Sequence, residues 1–184
     1  LDEAVDVPGL GRVRYDIAYG GAFYAYVEAA PLGLRLRPEH AGELIEAGRR
    51  IKQAVAAARP IAHPEHEDLG FLYGTIFTGA AEAADAHSRQ VCLFADGELD
   101  RSPTGTGVCG RAALLHARGE LAPGRAVVIE SILGTRFSVQ AGAEMPHHGR
   151  PALRPLVEGS AFLTGRHRFF IDPADPLGAG FLLR

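Results

Sequence analysis

The 184-residue chain has a single lysine, Lys52, a single methionine, Met145, and two cysteines, Cys92 and Cys109. Two cysteines without zinc-ribbon spacing exclude a disulfide scaffold, and both are expected to be reduced thiols. A formal charge of -3, one lysine and scattered arginines leave no basic stripe, so no nucleic-acid partner is expected. No apolar run approaches the roughly 20 residues of a membrane span. Leu1-Asp2-Glu3-Ala4 also lacks the basic and apolar regions of a signal peptide. The expectation is a soluble cytoplasmic protein with no membrane partner. A start at Leu1, with the only methionine at 145, reads as a piece of a longer protein. Repeats, low-complexity tracts and interdomain linkers are missing too, so residues 1–184 are expected to form a single domain. A 47% hydrophobic composition is enough to bury a core.

Alternation over Arg12–Tyr19, a break at Gly20-Gly21 and a second run over Phe23–Val27 predict a β-hairpin. Pro38 opens a helical pattern that runs to about Ala58 and is stopped by Pro60. Further strands are expected over Leu69–Phe77, Gln90–Phe94, Ala126–Ile132, Arg136–Val139, Leu153–Val157, Ser160–Leu163 and Arg168–Ile171. A second helix is expected from about Thr106 to Arg118, with Gly119 as its stop. It is rich in small residues: Gly107, Gly110, Ala112, Ala113 and Ala117. Such a helix suits tight enclosure by a sheet, so the expected class is α+β, a curved sheet around a central helix.

The most informative stretch is Asp100-Arg101-Ser102-Pro103-Thr104-Gly105-Thr106-Gly107, immediately before that helix. A helix start offers unpaired N–H groups and partial positive charge, which favour a carboxylate or phosphate. Gly105 and Gly107 would let a ligand approach the main chain, Thr104 and Thr106 supply hydroxyls, and Asp100 suits a substrate ammonium. Together these describe an amino-acid site, although Ser-Pro-Thr-Gly is also an ordinary turn and N-cap. The stretch is not a P-loop, since no Gly-Lys-Ser/Thr follows.

The same stretch resembles the second catalytic motif of the proline racemase family. The likeness extends through Val7-Pro8-Gly9-Leu10-Gly11, Asp16-Ile17-Ala18-Tyr19-Gly20-Gly21, His63-Pro64-Glu65, Glu130-Ser131-Ile132-Leu133-Gly134 and Asp172-Pro173-Ala174-Asp175-Pro176. It implies a diaminopimelate-epimerase-like fold: a curved, mostly antiparallel sheet or barrel around a central helix, in two similar domains whose helix starts converge on substrate. The chain would be the second domain, with residues 161–184 as a return segment towards the missing first one.

Two departures from the family pattern matter. The family's first catalytic cysteine, in a Met-Cys-Gly-His-like motif, has no match in this chain. Racemases also carry cysteine at the position matching Thr104. Racemisation needs a titratable group on each face of the α-carbon, and a threonine hydroxyl cannot be tuned to neutrality. By resemblance, threonine here implies trans-3-hydroxy-L-proline dehydration to Δ1-pyrroline-2-carboxylate without a cofactor. A cysteine outside the chain would then take the α-proton. Gly105 and Thr106 would bind the carboxylate, Asp100 would contact the ring nitrogen, and Thr104 would orient the substrate or its leaving group. A proline racemase, a hydroxyproline epimerase and an inactive amino-acid-binding fragment stand as alternatives. The implied partners are a proline-type amino acid and either the missing N-terminal domain or a second copy of the chain.

Other constellations read as structural. His63-Pro64-Glu65-His66-Glu67-Asp68, with or without His147-His148, lacks HExxH spacing and is expected to be a solvated loop, so no metal ligand is assigned. Cys109 and Cys92 are expected to be buried small hydrophobes. Phe23 and Tyr24 are assigned to packing, and Ala22 leaves that turn without a side-chain amide. Arg101 and Arg111 are candidate partners in structural ion pairs.

Overall fold

The computed structural model describes residues 1–182. Eleven strands and two helices follow in chain order. They are β1 (Glu3–Val7), β2 (Gly11–Tyr19), β3 (Phe23–Glu28), α1 (Ala41–Ala58), β4 (Leu72–Gly79), β5 (Ser88–Phe94) and β6 (Glu98–Leu99), then α2 (Gly105–Ala117), β7 (Ala126–Glu130), β8 (Arg136–Gln140), β9 (Glu144–His147), β10 (Arg150–Leu153) and β11 (Leu156–Gly159). The main sheet runs β1-β2-β3-β4-β5-β7-β8-β11, with β6 added to β5, while β9 and β10 form a separate hairpin. Pairing is antiparallel except for β3 with β4 and β5 with β7. Each parallel pair is bridged by a helix, α1 in the first and α2 in the second, because parallel neighbours need a long crossover.

The two helices cover opposite faces, and strand periodicity shows how. Ala25, Val27, Phe77, Val91 and Leu93 pack with Leu44, Ala47, Ile51 and Val55 of α1. Their immediate neighbours Tyr24, Tyr26, Ile76 and Cys92 point the other way and pack with Leu114 of α2. Successive side chains on a strand alternate faces, so β3, β4 and β5 are buried on both sides. Gly48 of α1 has a packing reason: a Cβ there would lie 2.9 Å from Leu93 Cγ.

Beyond β5 the sheet curls around α2. Val108, Ala112 and Leu115 pack on Ile129 and Val139 of β7 and β8, while the other limb presses on the same helix through β2 and β3. The small residues are what this closeness demands. A Cβ at Gly110 would lie 2.2 Å from the Tyr26 hydroxyl, and one at Gly20 would lie 2.2 Å from the Thr106 carbonyl oxygen. The expected curved sheet around a central helix is therefore present, but the sheet stays open, with β1 and β11 as its edges.

Several expected elements differ. The strand expected over Leu153–Val157 is broken at Arg154-Pro155 into the end of β10 and the start of β11. The strands expected over Ser160–Leu163 and Arg168–Ile171 do not form: residues 160–182 contain neither helix nor strand and are exposed throughout. Those runs have strand-like composition but nothing beside them to pair with. The last two residues of the expected return segment, 183–184, lie outside the described residues. Among the described residues no helix is long and apolar enough to cross a membrane.

Candidate active site

The stretch from Asp100 to Gly107 forms a turn folded around one carboxylate. Asp100 Oδ1 accepts the Ser102 N–H at 2.8 Å, and Oδ2 accepts the Thr104 hydroxyl at 2.6 Å. Ser102 Oγ in turn accepts the Thr104 N–H at 3.0 Å. Thr104 is the N-cap residue of α2, yet its side chain makes no capping bond because Asp100 holds it. Its backbone has φ 66° and ψ 113°, a region that a β-branched residue enters only when its surroundings enforce it.

The enforcement comes from the core. Gln90 of β5, 1% exposed, donates from Nε2 to the Pro103 carbonyl at 2.5 Å, fixing the peptide that precedes Thr104. On the other side, the Val108 N–H reaches the Thr104 carbonyl at 2.8 Å. Tyr24 and Tyr26 of β3 fix the first turn of α2. The Tyr24 hydroxyl pairs with Thr106 Oγ1 at 2.9 Å, and the Tyr26 hydroxyl donates to the Gly107 carbonyl at 2.8 Å. Burial raises both phenols above their ordinary range, so both stay protonated.

Of the residues singled out in the sequence, Asp100, Thr104, Gly105 and Thr106 come together at one helix start. Gly105 is exposed, and a Cβ there would meet nothing within 4 Å, so packing does not require a glycine at this position. Gly107 differs: it faces inward, where a Cβ would lie 2.8 Å from Ile76 Cδ1, so its smallness serves packing. Tyr24 is buried, as its assignment to packing requires, and in addition holds Thr106. Sequence reading missed Gln90, which looks like one polar residue in an apolar strand, and the bonding roles of both tyrosines.

Neither thiol is an activated one. Cys92 is buried beside this turn, where burial pushes it up to about 12; the Thr104 hydroxyl opposes that shift and the Asp100 carboxylate adds to it. Cys109, half-buried rather than fully buried, is also raised by burial. Arg101 and Arg111 form no ion pair within 4 Å among the described residues, and the buried Arg111 Nε has no acceptor. The loop from His63 to Leu69 is largely exposed, as expected, with the His63 ring tilted against that of Tyr19 at 5.0 Å between centroids. The fold also brings its Glu65 to His147 and His148 at the tip of the β9–β10 hairpin, a cluster from two segments that no local spacing rule detects.

The family resemblance read from the sequence has its counterpart in comparison with known proteins. The proline racemase family model matches residues 1–182. The chain belongs to the proline racemase family. It is 52% identical over its whole length to a trans-3-hydroxy-L-proline dehydratase of Colwellia psychrerythraea, covering 52% of that protein. It is 38% identical over 98% of its length to a proline racemase of Clostridioides difficile, covering 54% of it. The solved structure of a hydroxyproline epimerase from Agrobacterium vitis with bound trans-4-hydroxy-L-proline superposes with a TM-score of 0.88 at 36% identity, covering all of this chain and 52% of that one. The chain thus spans about half the length of the curated relatives it matches. The family is one of enzymes, and its named members include dehydratases, epimerases and racemases.

Proposed function

We propose that this chain supplies the Thr104 half of a proline-type amino-acid site, and that the full-length protein dehydrates trans-3-hydroxy-L-proline. The observation that carries the reading is the Thr104 hydroxyl, held on Asp100 at the start of α2 where a racemase would need a titratable thiol. Relatives at 44–52% identity named as dehydratases of this substrate support it.

In this reading the open amides of Gly105 and Thr106 bind the substrate carboxylate, and Asp100 accepts from the ring ammonium with its remaining lone pairs. Thr104 orients the substrate or its leaving group. The α-proton goes to a cysteine on the portion outside this chain, since Cys92 and Cys109 are both shifted towards the neutral thiol. The electron pair left at Cα forms the Cα–Cβ double bond as the 3-hydroxyl departs, taking up a proton to leave as water. The resulting enamine tautomerises to Δ1-pyrroline-2-carboxylate. The exposed apolar arm, with Phe162 89% and Phe169 87% exposed, is the segment that reaches the missing domain.

Incubating the full-length protein with trans-3-hydroxy-L-proline tests this. The expected product is an imine that borohydride reduces to proline. Efficient proline racemisation with trans-3-hydroxy-L-proline untouched would overturn it. Epimerisation is the second reading, favoured by a 46% identical relative from Burkholderia multivorans named 3-hydroxyproline 2-epimerase. Deuterium entering Cα with inversion and no loss of water would select that reading.

A further inference from the structure

The hairpin of β9 and β10 turns through two residues, His148 and Gly149, enclosed by the pair His147 and Arg150. Both are left-handed, with φ 47° and 72°. A two-residue turn of this kind selects Asn, Asp or Gly at its first position, and here that position carries an imidazole. The conformation has a consequence for the side chains. Consecutive residues of a regular strand point to opposite faces, whereas the left-handed His148 brings its ring within 4.4 Å of the His147 ring, edge to face.

A third group arrives from a distant segment. Glu65 lies 83 residues earlier, in the loop before β4, and its Oε1 is 2.9 Å from His148 Nε2. One ligand atom from each of Glu65, His147 and His148 lies within 4.8 Å of the other two. The neighbouring His63 is committed elsewhere: its Nδ1 accepts the backbone N–H groups of Glu65 at 3.2 Å and His66 at 3.1 Å. Those bonds present the Glu65 carboxylate towards the hairpin.

We propose that Glu65, His147 and His148 form a binding site for a divalent transition-metal ion, with zinc as the best match. Two imidazoles and a carboxylate suit zinc, which takes four ligands and would complete its shell with water. Calcium and magnesium prefer oxygen ligands throughout. All three side chains are exposed, so small rotations suffice to close them on one ion. The ion would fasten the β9–β10 hairpin to the His63–Leu69 loop. That loop rests through His63 on Tyr19 and Phe23, which flank the Gly20-Gly21 turn packed on Thr106. The site is thus a brace on the side of the molecule that carries the α2 start, and it does not depend on which amino acid that start binds.

The test uses the untagged full-length protein, stripped of metal with a chelator and dialysed against zinc chloride. The expected result is one zinc per chain and a higher unfolding temperature in zinc. His148→Asn keeps a residue that tolerates the left-handed turn but removes the ligand. Glu65→Gln removes the carboxylate charge from the exposed loop. Each is expected to weaken zinc binding by at least the roughly 10–100-fold that losing an outer-shell partner costs, to abolish the thermal shift, and to leave the zinc-free unfolding temperature unchanged. Cys109→Ser is expected to change neither zinc readout. Failure of the wild type to retain zinc overturns the proposal, as does equal retention by His148→Asn and Glu65→Gln. Loss of zinc in Cys109→Ser would also overturn it, by placing the ion on a thiol.

Discussion

The Thr104 hydroxyl donates to Asp100 Oδ2 at 2.6 Å while the backbone of Thr104 sits at φ 66°. The bond and the strained conformation oppose each other energetically, and substitution separates them. Thr104→Val keeps the shape and the β-branch but leaves that oxygen without its donor, a loss of about 1–3 kcal/mol. Thr104→Gly loses the same donor but also sheds backbone strain of about 1–3 kcal/mol. Urea unfolding is expected to rank the glycine variant above the valine variant, with m-values unchanged. The reverse order would mean that residue 104 carries no strain.

Placing a thiol at the same point tests the chemistry. Thr104→Cys in the full-length protein puts a titratable group at the start of α2, where the helix end lowers a thiol's pKa. The variant is expected to convert L-proline to D-proline with solvent deuterium at Cα, and the wild type is not, because only inversion needs a second titratable group. Racemisation by the wild type at the variant's rate would show that residue 104 does not divide elimination from racemisation.

Gln90 is the buried support of the turn, and its Oε1 has no partner among the described residues. Gln90→Met removes one bonded and one unpaired polar atom together, so its net cost is expected to be small, on the order of 1 kcal/mol. Gln90→Glu sets a carboxylate against the Pro103 carbonyl oxygen in the core and is expected to cost several times more. In Gln90→Met the backbone carbon shifts of Thr104 should move towards those of a residue with negative φ. Unmoved shifts would mean that Asp100 and Ser102 hold the turn without help.

How much of this was legible in the sequence depended on whether the cause was local. Pro38, Pro60 and Gly119 bound the two helices by backbone chemistry alone, and the Asp100–Gly107 turn announces itself through residues with restricted or polar side chains. β1, β6 and β9 exist because a neighbour pairs with them. Conversely, Phe169-Phe170-Ile171 looks like a strand and has no neighbour. The hold of Tyr24 on Thr106 spans 82 residues, and that of Gln90 on Pro103 crosses from sheet to turn, so neither leaves a spacing to read.

The contact of Gly110 with Tyr26 makes a coupled pair. In an ordinary helix Gly→Ala gains about 0.5–1 kcal/mol. At Gly110 the new methyl would lie 2.2 Å from the Tyr26 hydroxyl, so Gly110→Ala is expected to destabilise instead. Tyr26→Phe removes the obstructing oxygen, and the double variant should recover part of the loss, a coupling of about 0.5–3 kcal/mol. Strict additivity in a double-mutant cycle would sink this account of the small-residue helix.

Acid sensitivity should trace to Glu130. This buried carboxylate accepts the N–H groups of Glu82 and Ala83, both at 2.9 Å, and pairs with Arg89 at 3.1 Å. Burial alone would raise its pKa, but these bonds and the Arg89 charge bring it below 4.5. A folded-state pKa below the unfolded one stabilises fully above the unfolded value, and the contribution fades as pH falls through the folded value. Glu130→Gln should therefore cost stability at pH 7 and make the urea midpoint less dependent on pH below about 4.5. An unchanged acid slope would move the cause elsewhere, with Asp16, lowered by its bond to Arg118 against the opposing effect of burial, as the next candidate.

The apolar arm separates the fold from what lies beyond it. Residues 160–182 expose Phe162, Leu163, Phe169, Phe170 and Ile171, and the last strand of the sheet ends at Gly159. Among the described residues, truncation after Gly159 removes no buried side chain, so the unfolding temperature should stay unchanged. The arm is instead a surface on which water is ordered around large apolar groups, and in the isolated chain it can be covered only by another copy. Native mass measurements should find the complete chain associating as its concentration rises and the truncated chain monomeric. A truncated chain that loses its cooperative unfolding would show that the arm belongs to this core, not to the part of the protein its relatives carry in addition.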